Sequence, residues 1–266
     1  MTVFQAFLLG IIQGLTEFIP VSSTAHLLVA EHYMGLDPNN DALFSFSVLV
    51  QLGTLISVFI FYGPDLLGLL KAFLAKPFST PENKLAWYIV IATIPALIFG
   101  FFLKDAVEGL FRDPLREAAI RLFTAAVLLF LAEWLTKKDR TLDSMTWPDA
   151  LFIGLMQVIA VFPGASRSGT TISGGMFRGF DRPSAARFAF LMSVPVMLAA
   201  GGYEMLDVLQ MPDLGQFLPL LAVGLVTAAV VGWFAIKWLI DYLSKHSLYV
   251  FAAYCAVAGM IVFFLK

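Results

Sequence analysis

Six apolar stretches, each long enough to cross a lipid bilayer as a helix, constrain the fold of this chain more than any other feature. A spanning helix needs about 20 mostly apolar residues. Stretches that meet this requirement lie at about 44–62, 86–104, 117–136, 184–206, 217–240 and 248–265. Apolar residues make up 59% of the chain and charged residues 14%, against about 45–50% and 25% in a soluble domain. The sequence therefore predicts an all-α polytopic membrane protein and argues against a soluble enzyme or a disordered chain.

Two further apolar stretches, at about 3–30 and 149–177, are each broken in the middle by a proline followed by hydroxyl residues. The breaks read IPVSST at 19–24 and FPGASRSGTT at 162–171. Proline interrupts a helix, and serine or threonine can cap the start of a new one. Non-helical backbone within the bilayer is tolerated only where protein buries it or water reaches it. We therefore predict that each stretch forms a re-entrant helical hairpin.

The two broken segments resemble each other, which predicts an inverted-topology repeat. Residues that correspond at a spacing of 143 or 144 are Gly10, Gln13, Pro20 and Ser23 with Gly154, Gln157, Pro163 and Ser166. Each half then has one hairpin and three spans, and three spans reverse the direction of the second half. We predict a single integral membrane domain with repeat 1 at about 1–140 and repeat 2 at about 147–266. Interrupted segments at corresponding positions of two halves indicate a binding site near the bilayer midplane.

The distribution of basic residues predicts the orientation in the cell membrane. Loops on one side hold eleven lysines and arginines, and loops on the other side hold four. The side with more positive charge faces the cytoplasm, so both termini lie outside, the first hairpin enters from outside and the second from inside. We expect Glu31, Asp37 and Asp41, in a predicted external loop, to be solvated, and Glu133, Glu204 and Asp207, near the ends of spans, to contact head groups and water. The formal net charge of −2 gives no electrostatic reason to expect a nucleic acid partner.

Ionisable side chains within membrane segments are costly and indicate function. Gln13 and Glu17 lie four residues apart, on one face of the first half-helix. Ser22 and Ser23 precede His26 by four and three residues, so one helical face can carry two hydroxyls and an imidazole. Such a face suits a nucleophile or a water molecule beside a base. The alternative is an N-capping serine near a bundle histidine.

The second broken segment concentrates hydroxyls, glycine and one arginine at the start of a half-helix. These residues are Ser166, Arg167, Ser168, Gly169, Thr170 and Thr171. A guanidinium and a helix N-terminus together form a site for phosphate oxygens. One alternative is a buried ion pair between Glu17 and Arg167 that only fixes the hairpins together. Combined, the two hairpins match phosphoryl transfer, in which positioning and charge stabilisation supply most of the catalysis. A lipid-phosphate flippase or secondary transporter using the same midplane site is the alternative from another class.

Two long motifs resemble those of a known family. QGLTEFIPVSSTAH at 13–26 resembles the first motif of bacterial undecaprenyl-diphosphate phosphatases, also called bacitracin-resistance proteins, and PGASRSGTTISGG at 163–175 resembles the second. The resemblance covers essentially the whole chain in length, span order and motif spacing. It implies hydrolysis of undecaprenyl diphosphate to undecaprenyl phosphate and inorganic phosphate. This reaction recycles the lipid carrier for cell-wall synthesis and gives bacitracin resistance.

The resemblance also implies roles for individual residues. The family's motif positions fall on Gln13, Glu17, Ser23, His26, Arg167 and Thr171. Together with the residue patterns, this predicts four catalytic residues, Glu17, Ser23, His26 and Arg167. The expected substrate contacts are Gln13, Ser22, Thr24, Ser166, Ser168, Gly169, Thr170 and Thr171. Either Ser23 or a water that it orients attacks the phosphorus, and His26 is preferred over Glu17 as the base.

The implied partners are a divalent cation and a prenyl diphosphate lipid. The resemblance implies Mg²⁺ or Ca²⁺. Gln13 stands where some relatives carry a carboxylate, which leaves metal binding mainly to Glu17 and the substrate phosphates. We expect the prenyl tail to lie among the spans, in contact with membrane lipids. The sequence leaves open whether the chain forms a homodimer.

Overall fold

The described chain is entirely helical, which confirms the predicted all-α class. The computed structural model describes residues 1–38, 40–75, 77–108, 113–160 and 165–265. These residues hold one 3-10 helix, Leu142–Ser144, and no β-strand. Their α-helices are α1 (Val3–Thr16), α2 (Ser23–Tyr33), α3 (Asp41–Phe61), α4 (Gly63–Phe73), α5 (Pro81–Glu108), α6 (Pro114–Leu135), α7 (Trp147–Ile159), α8 (Arg167–Phe177), α9 (Arg182–Val208), α10 (Leu214–Lys245) and α11 (Tyr249–Phe264).

Five helices are long and apolar enough to cross a membrane, and they confirm five of the six predicted spans. They are α3, the first 22 residues of α5, α6, α9 and α10. The sixth prediction, 248–265, corresponds to α11, an apolar helix of 16 residues that is about 24 Å long at 1.5 Å per residue. Helix α4 was not predicted. It begins at Gly63–Pro64, and proline is well suited to the first turn of a helix.

Capping side chains explain where the helices begin. Thr2 and Gln5 form a reciprocal capping box at α1. Asn40, Asp113 and Asp181 each accept a hydrogen bond from a first-turn amide of α3, α6 and α9. Each cap satisfies an amide that has no partner within its helix. The local sequence therefore sets these boundaries before any tertiary contact forms.

Both interrupted segments fold as helical hairpins. Helix α1 has 14 residues and α7 has 13, so each is about 20 Å long, short of the roughly 30 Å hydrocarbon core. The open end of a hairpin is the end opposite its turn, where its first helix begins and its second helix ends. At the open end of the first hairpin, Gln5 Nε2 donates to the carbonyl oxygen of Met34 at 3.3 Å. At the open end of the second, Arg178 Nε donates to Asp149 Oδ1 at 2.6 Å. The chain therefore turns back within each segment. The predicted break at Pro163 lies outside the described residues.

The open ends of the two hairpins lie at opposite ends of the helix bundle. Helices α3 and α9 are antiparallel, because Ser45, near the start of α3, contacts Glu204, near the end of α9. Helix α2 ends at the same place, where Ser47 Oγ donates to Glu31 Oε1 at 2.6 Å. Helix α8 ends instead beside the start of α9, at the end of the bundle that includes Asp149. We call these the Glu204 end and the Asp149 end.

Equivalent helices of the two halves pack in equivalent ways. Helix α1 packs along α10, and α7 packs along α5. Glycine makes both contacts close: a Cβ on Gly10 would lie 2.8 Å from the carbonyl oxygen of Gly224, and a Cβ on Gly154 would overlap the backbone of Ala92. Helices α1 and α7 thus each pack along a spanning helix of the other half of the chain.

Three acidic side chains that were expected to contact water or head groups are buried, so this expectation was wrong. Glu31, Glu133 and Glu204 are only 6%, 5% and 7% exposed. Each has a specific donor: a serine hydroxyl for Glu31 and Glu204, and the Arg182 guanidinium for Glu133. A buried carboxylate is tolerated when hydrogen bonds replace its lost hydration.

The Asp149 end gathers basic residues of the loops with the higher positive charge. Asp149 accepts hydrogen bonds from Arg140 and Arg178, and these bonds join the loop after α6 to the second hairpin. The hydrogen bond to Asp149 raises the pKa of the Arg140 guanidinium above its ordinary value. Arg187 pairs with Asp65 at the same end. The ion pairs of Asp149 therefore fix the open end of the second hairpin.

Candidate active site

Glu17 and Arg167, one residue from each hairpin, form an ion pair inside the bundle. Arg167 Nη2 donates to Glu17 Oε1 at 2.5 Å across 150 residues of sequence. The Glu17 side chain is 4% exposed and that of Arg167 is 17% exposed. The ion pair that the sequence analysis left open as an alternative is therefore present, and it brings residues of both hairpins together.

The second carboxylate oxygen of Glu17, Oε2, accepts hydrogen bonds from Gln13 and Ser23. Gln13 Nε2 donates to Glu17 Oε2 at 2.7 Å, as the spacing of four residues predicts. Ser23 Oγ donates to the same oxygen at 2.6 Å. A buried carboxylate that accepts a serine hydroxyl at this distance is placed to remove the proton of that hydroxyl.

At the turn between α1 and α2, His26 and the two serine hydroxyls have different hydrogen-bond partners. Ser22 has a φ of +69°, a conformation that is strained for a residue with a side chain. Its hydroxyl caps α2 at the amide of Ala25, and its carbonyl oxygen lies 2.8 Å from His26 Nδ1. Ser23 bonds to Glu17 instead. Each of the three groups thus bonds to a different partner, and the described chain has no hydrogen bond between His26 and either serine hydroxyl.

Both ring nitrogens of His26 are engaged. A carbonyl oxygen only accepts hydrogen bonds, so Nδ1 carries the proton that it shares with Ser22. In the neutral ring, Nε2 then accepts from the hydroxyl of Tyr254 at 2.7 Å. The two rings stack with their centroids 5.8 Å apart. Tyr254 on α11 therefore fixes the orientation of the ring, and geometry favours Glu17 over His26 as the base for Ser23.

Hydroxyls at the start of α8 mostly stabilise the helix itself. Ser166 Oγ accepts from the amide of Gly169 at 3.2 Å. Thr170 and Thr171 donate to the carbonyl oxygen of Arg167 at 2.9 and 2.8 Å. Threonines inside helices often make such bonds to the preceding turn. These hydrogen bonds of Gly169, Thr170 and Thr171 therefore stabilise the first turn of α8, which carries Arg167.

A cavity of about 930 Å³ opens beside the Glu17–Arg167 pair. Its polar wall includes seven of the predicted site residues: Glu17, Ser22, Ser23, Thr24, Ser166, Arg167 and Ser168. Five other predicted residues are not part of the lining in the described chain: Gln13, His26, Gly169, Thr170 and Thr171. Both α2 and α8 begin at this wall, and a helix N-terminus favours anions. The wall therefore offers two anion-binding helix ends beside one guanidinium.

The opposite wall of the cavity is apolar. It is formed by α5 and α9, whose lining residues are Ala96, Leu97, Gly100, Phe101, Phe102, Val196, Ala199 and Ala200. Phe101 and Phe102 are 75% exposed, so this wall continues to the outer surface of the bundle. A polar end next to an apolar wall suits a ligand with a charged head and a hydrocarbon chain.

Four polar residues of the cavity lining were absent from the predicted site: Gln51, Arg121, Gln157 and Tyr203. Arg121 pairs with Glu117 at 2.7 Å and donates to the carbonyl oxygen of Ala165 at 3.0 Å, which supports the second hairpin next to Ser166. The sequence could have indicated Arg121 as a site residue, because it is an ionisable residue inside the predicted span at 117–136.

The donor set fits a cation held partly by a ligand's own phosphates. No group of three His, Cys, Asp or Glu side chains that could hold a metal occurs in the described part of the chain. An ionised carboxylate has about four lone-pair sites, and Glu17 uses three of them on Gln13, Ser23 and Arg167. One site is left for a hard cation, which prefers oxygen ligands and is often completed by phosphates.

Comparison with known proteins assigns the chain to a family. The family model described as "Bacitracin resistance protein BacA" matches residues 6–261. A protein of Chloroherpeton thalassium is 40% identical over 98% of this chain and 95% of its own length. Proteins of Methanobrevibacter smithii and Alkaliphilus metalliredigens are 37% and 40% identical, each over at least 97% of both chains. All three relatives are named undecaprenyl-diphosphatase.

Proposed function

The chain belongs to the bacitracin resistance protein BacA family, and on this premise we propose that it hydrolyses undecaprenyl diphosphate to undecaprenyl phosphate and inorganic phosphate. The observation that carries the proposal is the joined group Ser23–Glu17–Arg167 at the polar wall of a cavity whose other wall is apolar. This group of side chains combines a nucleophile, a base and a guanidinium that can bind an anion. The product is the lipid carrier for cell-wall synthesis, and its recycling gives bacitracin resistance.

The cavity suggests how the substrate binds. The diphosphate lies against the starts of α2 and α8, and the prenyl chain lies along α5 and α9 and leaves the bundle past Phe101 and Phe102. Arg167 Nη1 is buried and has no hydrogen-bond partner in the described chain. This nitrogen is the natural donor to a phosphate oxygen, while Nη2 stays on Glu17. Guanidinium–phosphate hydrogen bonds are charge-assisted and strong.

The first chemical step uses Ser23 as the nucleophile. Ser23 Oγ attacks the terminal phosphorus, the bond from this phosphorus to the bridging oxygen breaks, and undecaprenyl phosphate leaves. Glu17 takes the hydroxyl proton through the hydrogen bond that it already makes at 2.6 Å. Arg167 and the amides at the helix N-termini stabilise the charge on the transferred phosphoryl group.

The second step returns the enzyme to its starting state. Water attacks the phosphorus of phosphorylated Ser23, the bond from phosphorus to Oγ breaks, and inorganic phosphate is released. Glu17 returns its proton to Oγ. The oxygen of Ser23 thus starts and ends as a hydroxyl, and one water is consumed per substrate.

His26 acts as a positioning residue in this scheme. It bonds to the carbonyl oxygen of Ser22 and so stabilises the strained turn that directs Ser23 at Glu17. The preference of the sequence argument for His26 as the base is therefore replaced by Glu17.

A divalent cation, Mg²⁺ or Ca²⁺, supplies charge neutralisation of the diphosphate when it is bound. Glu17 is the residue that would hold it, together with phosphate oxygens of the substrate. Gln13 orients Glu17 for this role through its 2.7 Å hydrogen bond.

The test is release of phosphate from a C55 or C15 prenyl diphosphate by the purified protein in detergent. Ser23→Ala and Ser23→Cys should each lose activity by at least about 100-fold, the usual lower range for loss of a positioned catalytic group. Ser244→Ala is the matched control, because its hydroxyl only donates to the carbonyl oxygen of Asp241 at the surface. Substantial activity in both Ser23 variants would remove Ser23 as the nucleophile and leave an oriented water in its place.

We also propose the inverted repeat and the orientation in the cell membrane. The pairing of α1 with α10 and of α7 with α5 supports the repeat, and the basic residues at the Asp149 end support a cytoplasmic location for that end. Both hairpins are then re-entrant and both termini face outside. Reporter fusions after residue 265 test this orientation: alkaline phosphatase should be active there and green fluorescent protein dark. Light scattering of the purified protein tests for a homodimer.

Lipid-phosphate transport is the second candidate, and the exchange of helices between halves favours it. Transport needs no hydroxyl bonded to a carboxylate, so the Ser23–Glu17 bond favours hydrolysis. Folded protein that releases no phosphate but exchanges lipid phosphates between liposome leaflets would reverse this preference.

A further inference from the structure

One glutamine in the cavity wall has a buried amide without a partner. Gln157 lies in the last turn of α7, is 2% exposed and lines the cavity. Neither Nε2 nor Oε1 has a hydrogen-bond partner in the described chain. A buried amide that lacks partners has lost its hydrogen bonds to water without replacement, so each such group in a native protein requires an explanation.

The corresponding glutamine of the first hairpin explains why this amide is unpaired. Gln13 has the same position in α1, and its Nε2 donates to Glu17, four residues further on. Four residues after Gln157 the sequence has Val161, whose side chain accepts no hydrogen bond. The second hairpin thus keeps the amide and lacks the carboxylate, which leaves the amide available to a molecule from outside the chain.

We propose that Gln157 is a head-group ligand of the substrate, with Nε2 donating to an oxygen of the diphosphate. The inference rests on the proposed function and adds a residue to its binding site. Arg167 Nη1, another buried donor of the cavity wall without a partner in the described chain, belongs to the same hairpin. A diphosphate has separate acceptor oxygens for both donors, whereas a prenyl alcohol has one oxygen for both.

Gln157→Leu tests the proposal in purified protein, with Gln210→Leu as the matched control. Gln210 is exposed, is not part of the cavity lining in the described chain, and its Nε2 donates to the carbonyl oxygen of Leu206 at 3.1 Å. The probe is a C15 prenyl methylenebisphosphonate, a diphosphate analogue that cannot be hydrolysed at the bridge. The measurements are the Kd of this probe, the Tm without ligand, and KM and kcat for the C15 diphosphate.

The proposal predicts two opposite changes in Gln157→Leu. The Kd rises about tenfold, as expected when a ligand loses one hydrogen bond to a buried donor, and KM rises more than kcat falls. The Tm without ligand rises by about 2–4 °C, because leucine removes a buried polar group that had no partner. Gln210→Leu keeps the Kd within twofold and does not raise the Tm.

Three results would overturn the inference. They are an unchanged Kd in Gln157→Leu, a lower Tm of Gln157→Leu without ligand, which marks a structural role, and an equal loss of affinity in Gln210→Leu. Failure of the proposed function is recognised separately, because the wild-type protein would then neither bind the probe nor release phosphate, and the inference would fall with it.

Discussion

Separate removal of each charge of the Glu17–Arg167 pair, followed by removal of both, distinguishes catalysis from a purely structural ion pair. The variants are Glu17→Gln, Arg167→Met and the double variant. Both side chains are largely buried and their charged atoms lie 2.5 Å apart. Removal of one partner leaves the other buried and unpaired, which costs about 3–5 kcal/mol. Each single variant should therefore lower the Tm by about 6–20 °C, at 2–4 °C per kcal/mol for a chain of this size.

The double variant separates stability from activity. With both charges absent, no unpaired charge remains, and most of the lost stability should return because neutral replacement of a buried pair is often nearly free. Activity should not return, since the base for Ser23 and the phosphate ligand are both missing. We expect phosphate release at least about 100-fold below wild type in all three variants. The assays are thermal unfolding in detergent and phosphate release at a temperature where every variant is folded.

Recovery of activity in the double variant would refute the reasoning, because the ion pair would then serve only to join the hairpins. The same conclusion would follow if each single variant lost activity only in proportion to its unfolded fraction. Ser244→Ala serves as the unperturbed reference in both assays.

Three further predictions concern the surroundings of the site. Tyr254→Phe removes the hydroxyl that bonds to His26 Nε2, so kcat should fall about 2- to 10-fold, as for the loss of one hydrogen bond; an unchanged kcat and pH profile would contradict a positioning role for His26. Gly154→Ala places a methyl group against the backbone of Ala92 and should lower the Tm, whereas Gly202→Ala, which meets nothing within 4 Å, should not; equal Tm values would contradict the close packing of α5 and α7. Chelation with EDTA should abolish phosphate release but leave the Tm of the ligand-free protein unchanged, because the described residues form no metal cage of their own; a marked loss of Tm would indicate a resident ion.

The sequence predicted the parts of the fold that depend on short-range patterns. Length and apolarity identify the spans, and Pro20 followed by serines identifies the first hairpin. The spacing of four residues between Gln13 and Glu17 is enough to predict their contact. The approach of Arg167 to Glu17 could also be predicted, since a buried charge requires a partner and the two hairpins offered few.

The wrong or missing parts depend on backbone geometry and on long-range contacts. Ser22, which precedes α2, has a positive φ, and no spacing rule reveals such a turn or the hydrogen bond of Ser23 to Glu17. Tyr254 reaches His26 across 228 residues of sequence, and one aromatic residue in an apolar run carries no signal. Thr170 and Thr171 are different, because the known tendency of helical threonines to bond to the preceding turn could have excluded them from the cavity.

The separation of Glu17 and Arg167 along the chain affects how the protein is made. The two residues are 150 positions apart, so at a synthesis rate of about 5–20 residues per second the carboxylate waits roughly 8–30 seconds for its counter-ion. During this time an ionised Glu17 cannot settle in the hydrocarbon core at low cost. The hairpin that leaves the ribosome first therefore receives its counter-ion only after the second hairpin has been synthesised, so the order of synthesis is not the order in which the site is completed.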